Sequence, residues 1–507
     1  MRRFLWLTCS LAVYAQVGAP PPAQQLPRPQ QLPLSGRQQQ NGTVVPSETP
    51  SNGGGNSVNT LNPSVSIQGA YQGSVAHGTV SSQPVTLTLD DAIRRGVQFN
   101  LGAIGAGNAV RQARAERLAA VSQLLPDLIG NVRESVQQIN LAAQGLRIMV
   151  PIPGFQFPTV VGPFNYFDAR ANFTESLSVT GLRSWRSTIE NARSADLSAK
   201  DSRELVALAV AASYMQILAS AARIETAKAQ IVTAEAVRQQ AVDRNRSGLN
   251  ARIDVNRSLV ELQTQQQRLT TLTNDFEKQK ILLARLIGMP MAQCFTLADT
   301  IPYREFPAPN VDDLIQHAFS NRADVQAAAA QVKAADLVRR AAIGEYYPSL
   351  DVTADYGATG VNPSRDAHGT FSVNGAVVFP IFRFGRIRAD IDQAAAALAQ
   401  RKSEYEDAKA RAEQDVRLAV LDLTAASEQV RVAQSNRDLA ADTMEQARDR
   451  FRAGVSDTVE LVQAQESVAT AEQDYITALY AFNLAQVSLA RAVGQTEQGI
   501  TRLLQGK

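Results

Sequence analysis

The chain has 507 residues, with 50 Lys and Arg against 48 Asp and Glu, so its net charge is close to zero. This balance, with both signs interspersed, excludes the strongly basic surface that nucleic-acid-binding proteins use. The two cysteines and the three histidines lie far apart along the chain (Cys9, Cys294, His77, His317 and His368). Because a zinc site needs about four such ligands at short spacings, we predict no metal site and no cofactor.

The N-terminus reads as an export signal over residues 1–19. Arg2 and Arg3 form a charged start, an apolar stretch follows, and small residues near Ala15 suit cleavage. The stretch is too short to span a bilayer, and no later segment of about 18 uncharged apolar residues is evident, so we predict no transmembrane helix. Whether Cys9 carries a lipid stays open.

Residues 20–85 are rich in Pro, Gln, Gly, Asn and Ser. Such a composition buries too little apolar surface to offset the entropy of ordering, so we predict a disordered leader whose role the sequence does not reveal. Order is expected near Leu87, where Thr88 or Asp90 can cap a helix that starts at Asp91.

The rest of the chain repeats itself. Four short segments recur in the same order, two displaced by 222 positions (124–128 to 346–350, 90–93 to 312–315) and two by 206 (246–249 to 452–455, 286–288 to 492–494). We infer an internal duplication with repeats at 86–300 and 310–497, followed by a tail at 498–507. A Pro-rich connector at 306–309 joins the repeats, and an extra loop at 141–165 lengthens the first.

Each repeat contains two runs in which apolar and polar residues alternate, at 128–136, 167–179, 350–358 and 371–381. Period two predicts strands with one apolar and one polar face, near the ~9–11 residues of a membrane strand. The polar face carries Asp, Arg and Asn, as a water-filled lumen would. Because four strands cannot close a barrel, a membrane role requires several chains. The alternative is a pair of hairpins packed on a soluble core.

Two segments, 183–247 and 386–453, contain no proline and few glycines. About 65 helical residues would form a rod of roughly 100 Å. A heptad seam predicts coiled-coil packing in the helix after Gly454. It comprises Leu461, Ala464, Val468, Ala471, Tyr475, Ala478, Phe482, Ala485, Leu489 and Ala492. Gly248 and Gly454 each suit a tight turn between a long and a shorter helix, which places both turns at one end of the rods and the strands at the other.

The duplicated order, the segments 415–423 and 450–461, and the strand end 379–385 resemble the TolC-like outer-membrane efflux protein family over residues 86–497. The resemblance implies an α+β membrane protein that forms a homotrimer. Four strands per chain would contribute to a 12-stranded outer-membrane β-barrel, continued by a long periplasmic α-helical coiled-coil barrel.

The implied function is that of an exit duct for a tripartite efflux or type I secretion system, which exports passively and is not an enzyme. Its partners would be a periplasmic adaptor, an inner-membrane pump and outer-membrane lipid, without nucleic acid. The alternative function is a periplasmic coiled-coil scaffold or adaptor. The sequence does not show the exported substrate or the class of the pump.

The resemblance also assigns site residues. The adaptor would bind the turns, at Gly248, Leu249, Gly454 and Val455. A periplasmic gate would lie six and nine residues beyond each turn glycine, at Asp254, Arg257, Glu460 and Gln463. Because Gln463 is neutral, one ring of Glu460 carboxylates remains, and we expect it to pair with Arg257 or Arg252. The alternative is that these are ordinary solvated helix residues.

Overall fold

The computed structural model describes residues 42–50, 61–143, 145, 158–248, 251–299, 303, 310–364, 366–453, 455–456 and 458–495. The chain divides into two compact units. We call the unit formed by Val121–Leu182 and Gly344–Phe384 the sheet unit, and the unit formed by Gln40–Ala120, Arg183–Ile343 and Gly385–Lys507 the helical unit. The predicted export signal at 1–19 and the tail at 498–507 lie outside the described residues.

The same series of elements occurs twice: two short helices, two strands, a very long helix and a helix of 35 residues. Among the residues described before the first series are three strands: β1 (Val44–Pro50), β2 (Leu61–Ile67) and β3 (Val85–Leu87). The first series is α1 (Leu89–Phe99), α2 (Leu101–Ser122), β4 (Asp127–Asn140), β5 (Val160–Leu177), α3 (Val179–Arg246) and α4 (Arg252–Leu286). After β6 (Phe295–Leu297) come α5 (Val311–Asn321), α6 (Ala323–Gly344), β7 (Ser349–Gly360), β8 (His368–Val378), α7 (Arg386–Arg452) and α8 (Thr458–Ala492).

The sheet unit contains one four-stranded antiparallel sheet in the order β4-β5-β7-β8. Its register aligns apolar residues across all four strands, as in the row Leu128, Phe173, Ala354 and Val373. The next row along, Ile129, Asn172, Asp355 and Ser372, lies on the opposite face and is mostly polar. The strands predicted from period-two alternation are therefore confirmed.

Two strand boundaries differ from the prediction. Strand β8 ends at Val378, so Phe379 and Ile381 follow the strand instead of belonging to it. Strand β5 begins at Val160, so the extra loop is shorter than 141–165. Pro380, which cannot donate to a strand ladder, lies two residues beyond the end of β8.

The two long helices are confirmed, with 68 residues in α3 and 67 in α7. Most of their length is Ala, Leu, Gln, Glu, Arg and other good helix formers. The prediction that no later segment has about 18 uncharged apolar residues was wrong, whereas the absence of a transmembrane helix stays a prediction. Helix α3 contains an 18-residue stretch of mean hydropathy 1.8, although 67% of that stretch is buried within the protein.

The core of the helical unit lies where these helices pack together. Residues 206–217 of α3 are almost continuously buried and pack with apolar residues of α1, α4 and α8. A second cluster joins α5, α7 and α8 through Val416, Leu423, Phe482 and Leu489. The predicted heptad seam of α8 is buried along its length, with Val468 and Tyr475 partly so. It is a packing surface, as predicted.

The leader is ordered further toward the N-terminus than predicted. Strands β1 and β2 form an antiparallel pair, and Val44 and Tyr71 are buried in the core of the helical unit. The buried amide of Asn100 donates to the carbonyl oxygen of Tyr71 at 2.8 Å. The prediction of disorder up to residue 85 is therefore wrong for 42–50 and 61–85, because Val44 and Tyr71 pack into a core that the helices contribute.

Two local predictions can also be checked. Thr88 is the N-cap of α1, as expected, and its hydroxyl accepts from the backbone N–H of Asp91 at 3.2 Å, although the helix already begins at Leu89. For Cys294 the sequence predicts a lone thiol that is buried or semi-buried; it is a free thiol, but it is exposed, just before the short strand β6.

Candidate functional site: the turn end of the helical unit

The first turn joins α3 to α4. Gly248 adopts a φ of 76°, the left-handed conformation that its position predicts, and its N–H donates to the carbonyl of Asn245 at 3.0 Å. Ser247 donates both its backbone N–H and its hydroxyl to the carbonyl of Asp243, at 3.1 and 3.0 Å. Residues of the turn thus satisfy the carbonyls of Asp243 and Asn245 at the end of α3. Leu249 lies outside the described residues.

The second turn joins α7 to α8. The N–H of Ala453 donates to the carbonyl of Asp449 at 2.9 Å, and the N–H of Val455 donates to the carbonyl of Arg450 at 3.0 Å. A hydrogen bond that spans five residues in this way is typical of a helix that ends in a tight turn. Gly454 lies outside the described residues. Val455 is 71% exposed, so the turn presents an apolar side chain to its surroundings.

The predicted gate residues lie in the first turns of α4 and α8. Asp254 forms an ion pair with Arg257 at 3.8 Å, and Glu460 forms one with Arg450 at 3.3 Å. Gln463 is exposed. The partner that the structure gives to Glu460 is Arg450, where the sequence led us to expect Arg257 or Arg252. All four charges are partly exposed, so each pair contributes about 1 kcal/mol or less.

A contact between the two series was missed by sequence reasoning. The guanidinium of Arg244, near the end of α3, donates to the carbonyl oxygens of Phe451 and Arg452 at the end of α7, at 2.5 and 3.1 Å. It also lies 4.3 Å from the centre of the Phe451 ring. A small apolar cluster lies at the same end of the helices, formed by Val237, Met444, Ala447, Phe451, Leu461 and Ala464.

A second charged cluster lies within the helical unit. Arg322 is held by both carboxylate oxygens of Asp324, at 3.0 and 2.8 Å, and by Asp415 at 2.7 Å. Burial alone would raise the pKa of Asp324, but its hydrogen bonds to Arg322 and the arginine charge outweigh burial, so the pKa is lowered. For Asp201, burial dominates over the attraction of Arg491 and raises the pKa.

Within the described ranges, no group of three or more His, Cys, Asp or Glu side chains is placed to hold a metal ion. The charged groups at the turn end are instead paired arginines and carboxylates. Such groups can attract or repel ions and can be separated by a binding partner.

The comparisons with known proteins agree with one another. Residues 314–495 match the model of the family described as outer membrane efflux protein. The chain is 24% identical over 424 residues to the pyoverdine export outer membrane protein OpmQ of Pseudomonas aeruginosa, covering 82% of this chain and 87% of that protein. It is 25% identical over 325 residues to the probable efflux pump outer membrane protein TtgC of Pseudomonas putida, covering 61% and 65%.

The fold is shared with solved channels. The outer membrane channel CmeC of Campylobacter jejuni superposes with a TM-score of 0.70 at 15% identity, covering 87% of this chain and 95% of that one. Residues 314–495 match the outer membrane efflux protein family, and the chain as a whole resembles this TolC-like family in the sequences of its relatives and in its fold. It is a transport protein of the cell outer membrane, and the family consists of channels instead of enzymes.

Proposed function

We propose that three copies of this chain assemble into a passive exit duct through the outer membrane. Three sheets would close a 12-stranded barrel, and the helices would continue it as a coiled-coil tunnel through the periplasm. The internal duplication supplies two hairpins of strands and two of helices per chain. The observation that carries the proposal is the four-stranded sheet, whose apolar face is exposed and whose edge strands are β4 and β8.

The two faces of the sheet suit different solvents. On the apolar face, Val132, Phe371 and Val373 are all more than two-thirds exposed. On the opposite face, Arg170 pairs with Asp168 at 2.6 Å and with Asp355 at 3.2 Å. The apolar face suits contact with the hydrocarbon core of a bilayer, and the polar face suits a water-filled lumen. The edge strands would pair with those of neighbouring copies, because lipid cannot satisfy open backbone groups.

The partners follow from the class of relatives. Names such as "pyoverdine export" and "efflux pump" belong to the relatives, and they support export as the role of this chain without specifying its cargo. A duct of this kind would receive a periplasmic adaptor at its turns and an inner-membrane pump that supplies the energy. The adaptor contacts would be Gly248, Leu249, Gly454 and Val455, of which Val455 offers exposed apolar surface.

The gate would be formed by Asp254, Arg257, Glu460 and Gln463. Three copies of Glu460 near the axis would concentrate cations and repel anions over about one Debye length, ~8 Å at physiological salt. The ion pairs at 3.8 and 3.3 Å are weak enough for a binding partner to separate.

The proposal is tested by ion selectivity in planar bilayers. Glu460→Gln removes the carboxylate ring and should lower the permeability ratio of cations to anions. Gln463→Glu, three residues further along the same helix, adds a ring and should raise it. If Glu460→Gln leaves the ratio unchanged, the gate assignment is wrong. A wild-type protein that stays in the osmotic-shock supernatant and forms no channel would contradict the duct and favour the periplasmic scaffold.

A further inference from the structure

Two mostly buried arginines of the first series lie close together without a carboxylate partner. Arg223 of α3 and Arg268 of α4 line the same small cavity, and α8 supplies its third wall. Among the residues that the structure describes, neither guanidinium forms an ion pair with an Asp or Glu side chain. Arg322 and Arg491, which are also largely buried in the helical unit, each bind two carboxylates. The pair at the cavity therefore lacks the compensating charge that buried arginines have elsewhere in this unit.

Arg223 does not use all of its hydrogen-bond donors. Its Nη2 donates to the hydroxyl of Thr477 on α8 at 2.8 Å. Its Nε is buried and has no hydrogen-bond partner within the described part of the chain. Burial lowers the pKa of the Arg223 guanidinium, and the positive charge of Arg268 lowers it further, yet an arginine stays protonated. A buried charged donor without an acceptor is costly, so this group calls for an acceptor that the protein itself does not supply.

The rest of the cavity wall offers donors and no negative charge. Arg268 donates to the side-chain oxygen of Gln473, a neutral acceptor. The hydroxyl of Thr226 and the amide of Gln230, both on α3, are further polar groups that can donate. The remaining lining residues are apolar: Ala227, Leu272, Ala469 and Ile476. Two cationic side chains among neutral ones form an environment that favours an anion.

We propose that this cavity binds a small monovalent anion of the size of chloride between α3, α4 and α8. The cavity has a volume of about 10 Å³, which is room for one particle of about the size of a water molecule. Phosphate, sulfate and organic acids are too large for it. A water molecule fits as well, but it would leave two like charges side by side without compensation, whereas an anion attracts both.

The bound anion would hold three helices from both series together. Helices α3 and α4 belong to the first series and α8 to the second. Without the anion the two guanidinium groups repel each other, and with it both are attracted to one point. Arg223 lies 25 residues before Gly248, roughly 37 Å along the helix, so the site is separate from the turn end. An anion that binds only the folded protein stabilises it by mass action.

Thermal unfolding of the full-length, detergent-solubilised protein tests the site. Helical circular dichroism is followed in sodium chloride and in sodium gluconate at the same ionic strength, because gluconate is too large for the cavity. The Tm of the wild type should be higher in chloride by on the order of 2 °C. Arg223→Gln should abolish this difference. The matched control is Lys228→Gln on the same helix, which should keep it, because Lys228 pairs with Glu225 at 2.8 Å and does not line the cavity.

Anomalous diffraction locates the ion directly. Crystals of the wild type soaked in bromide should show an anomalous peak between the guanidinium groups of Arg223 and Arg268 in every copy of the chain. Crystals that show bromide elsewhere but none at this position would overturn the proposal.

The thermal measurement also has outcomes that contradict the site. Equal Tm values of the wild type in chloride and gluconate would overturn it, and so would a difference that persists in Arg223→Gln, since that is a general salt effect. If Arg223→Gln does not fold, Arg268→Gln replaces it, and an unchanged dependence on chloride in that variant would overturn the site. None of these readouts requires conduction, so failure of the anion site and failure of the proposed duct are distinguishable.

Discussion

The sheet unit exposes large apolar side chains, and the helical unit buries them. Phe371 in β8 is 76% exposed, whereas Phe482 in α8 is fully buried among α5, α7 and α8. In water the first arrangement leaves apolar surface uncovered, and the second removes it. The helical unit therefore carries a core of its own, and the sheet unit leaves one apolar face uncovered, which lipid would cover in the proposed barrel.

The charges show the same contrast. Each unit places one arginine between two aspartates: Arg170 with Asp168 and Asp355 in the sheet, and Arg322 with Asp324 and Asp415 among the helices. The side chain of Arg170 is 27% exposed, and that of Arg322 is 5% exposed. A charge that water reaches depends little on its partner, but a buried charge depends on it strongly.

The largest effect is expected for a pair of aromatic substitutions. Phe482→Ala should lower the free energy of unfolding of the helical unit by about 3–5 kcal/mol, because it removes a fully buried ring and leaves a cavity. Phe371→Ala should leave the unfolding of the helices nearly unchanged. Denaturant titration followed by helical circular dichroism, on the detergent-solubilised protein, measures both.

The matched pair makes this test specific, because the same side chain is truncated in both units. Equal losses of helix stability in Phe482→Ala and Phe371→Ala would contradict the conclusion that only the helical unit buries its large apolar side chains. A large loss in Phe371→Ala alone would place the core of the protein in the sheet unit.

A smaller effect is expected at the two arginine sites. Asp324→Asn should destabilise the helical unit by about 1.5–3 kcal/mol at neutral pH, because Arg322 loses a charged partner that binds it through two hydrogen bonds. Asp168→Asn should cost about 1 kcal/mol or less. Thermal unfolding of each variant beside the wild type measures the difference.

The stability difference between wild type and Asp324→Asn should also depend on pH in a defined direction. Because the pKa of Asp324 is lowered in the folded protein, its contribution is present above the unfolded aspartate pKa of about 3.9 and is lost as the pH falls below it. The difference between wild type and Asp324→Asn should therefore shrink on acidification. A difference that grows toward low pH would contradict the assignment.

Much of the fold was accessible to sequence reasoning because its signals are periodic. The alternation in β7 and the heptad seam of α8 each repeat over many residues, so local exceptions do not hide them. The leader was misjudged for the opposite reason. Val44 and Tyr71 are isolated among Pro, Gln and Gly, and their burial depends on a core that other parts of the chain build.

The site was less accessible. The turn glycine at 248 and the ion pair of Asp254 with Arg257 depend on short spacings, which a sequence displays. The bonds from Arg244 to the carbonyls of Phe451 and Arg452 join residues more than 200 positions apart through backbone atoms, which carry no sequence signal. The one available hint was that Arg244 and Arg450 each lie four residues before a turn glycine.

The most direct test of the account concerns two adjacent residues of β8. Val373 lies on the apolar face of the sheet, and Asn374 lies on the polar face. In membrane-inserted protein with Cys294 replaced, a charged, water-soluble thiol reagent should label Asn374→Cys readily and Val373→Cys poorly. After unfolding in denaturant, both should label equally. Equal labelling of both positions in the native protein would contradict a sheet with lipid on one face and water on the other.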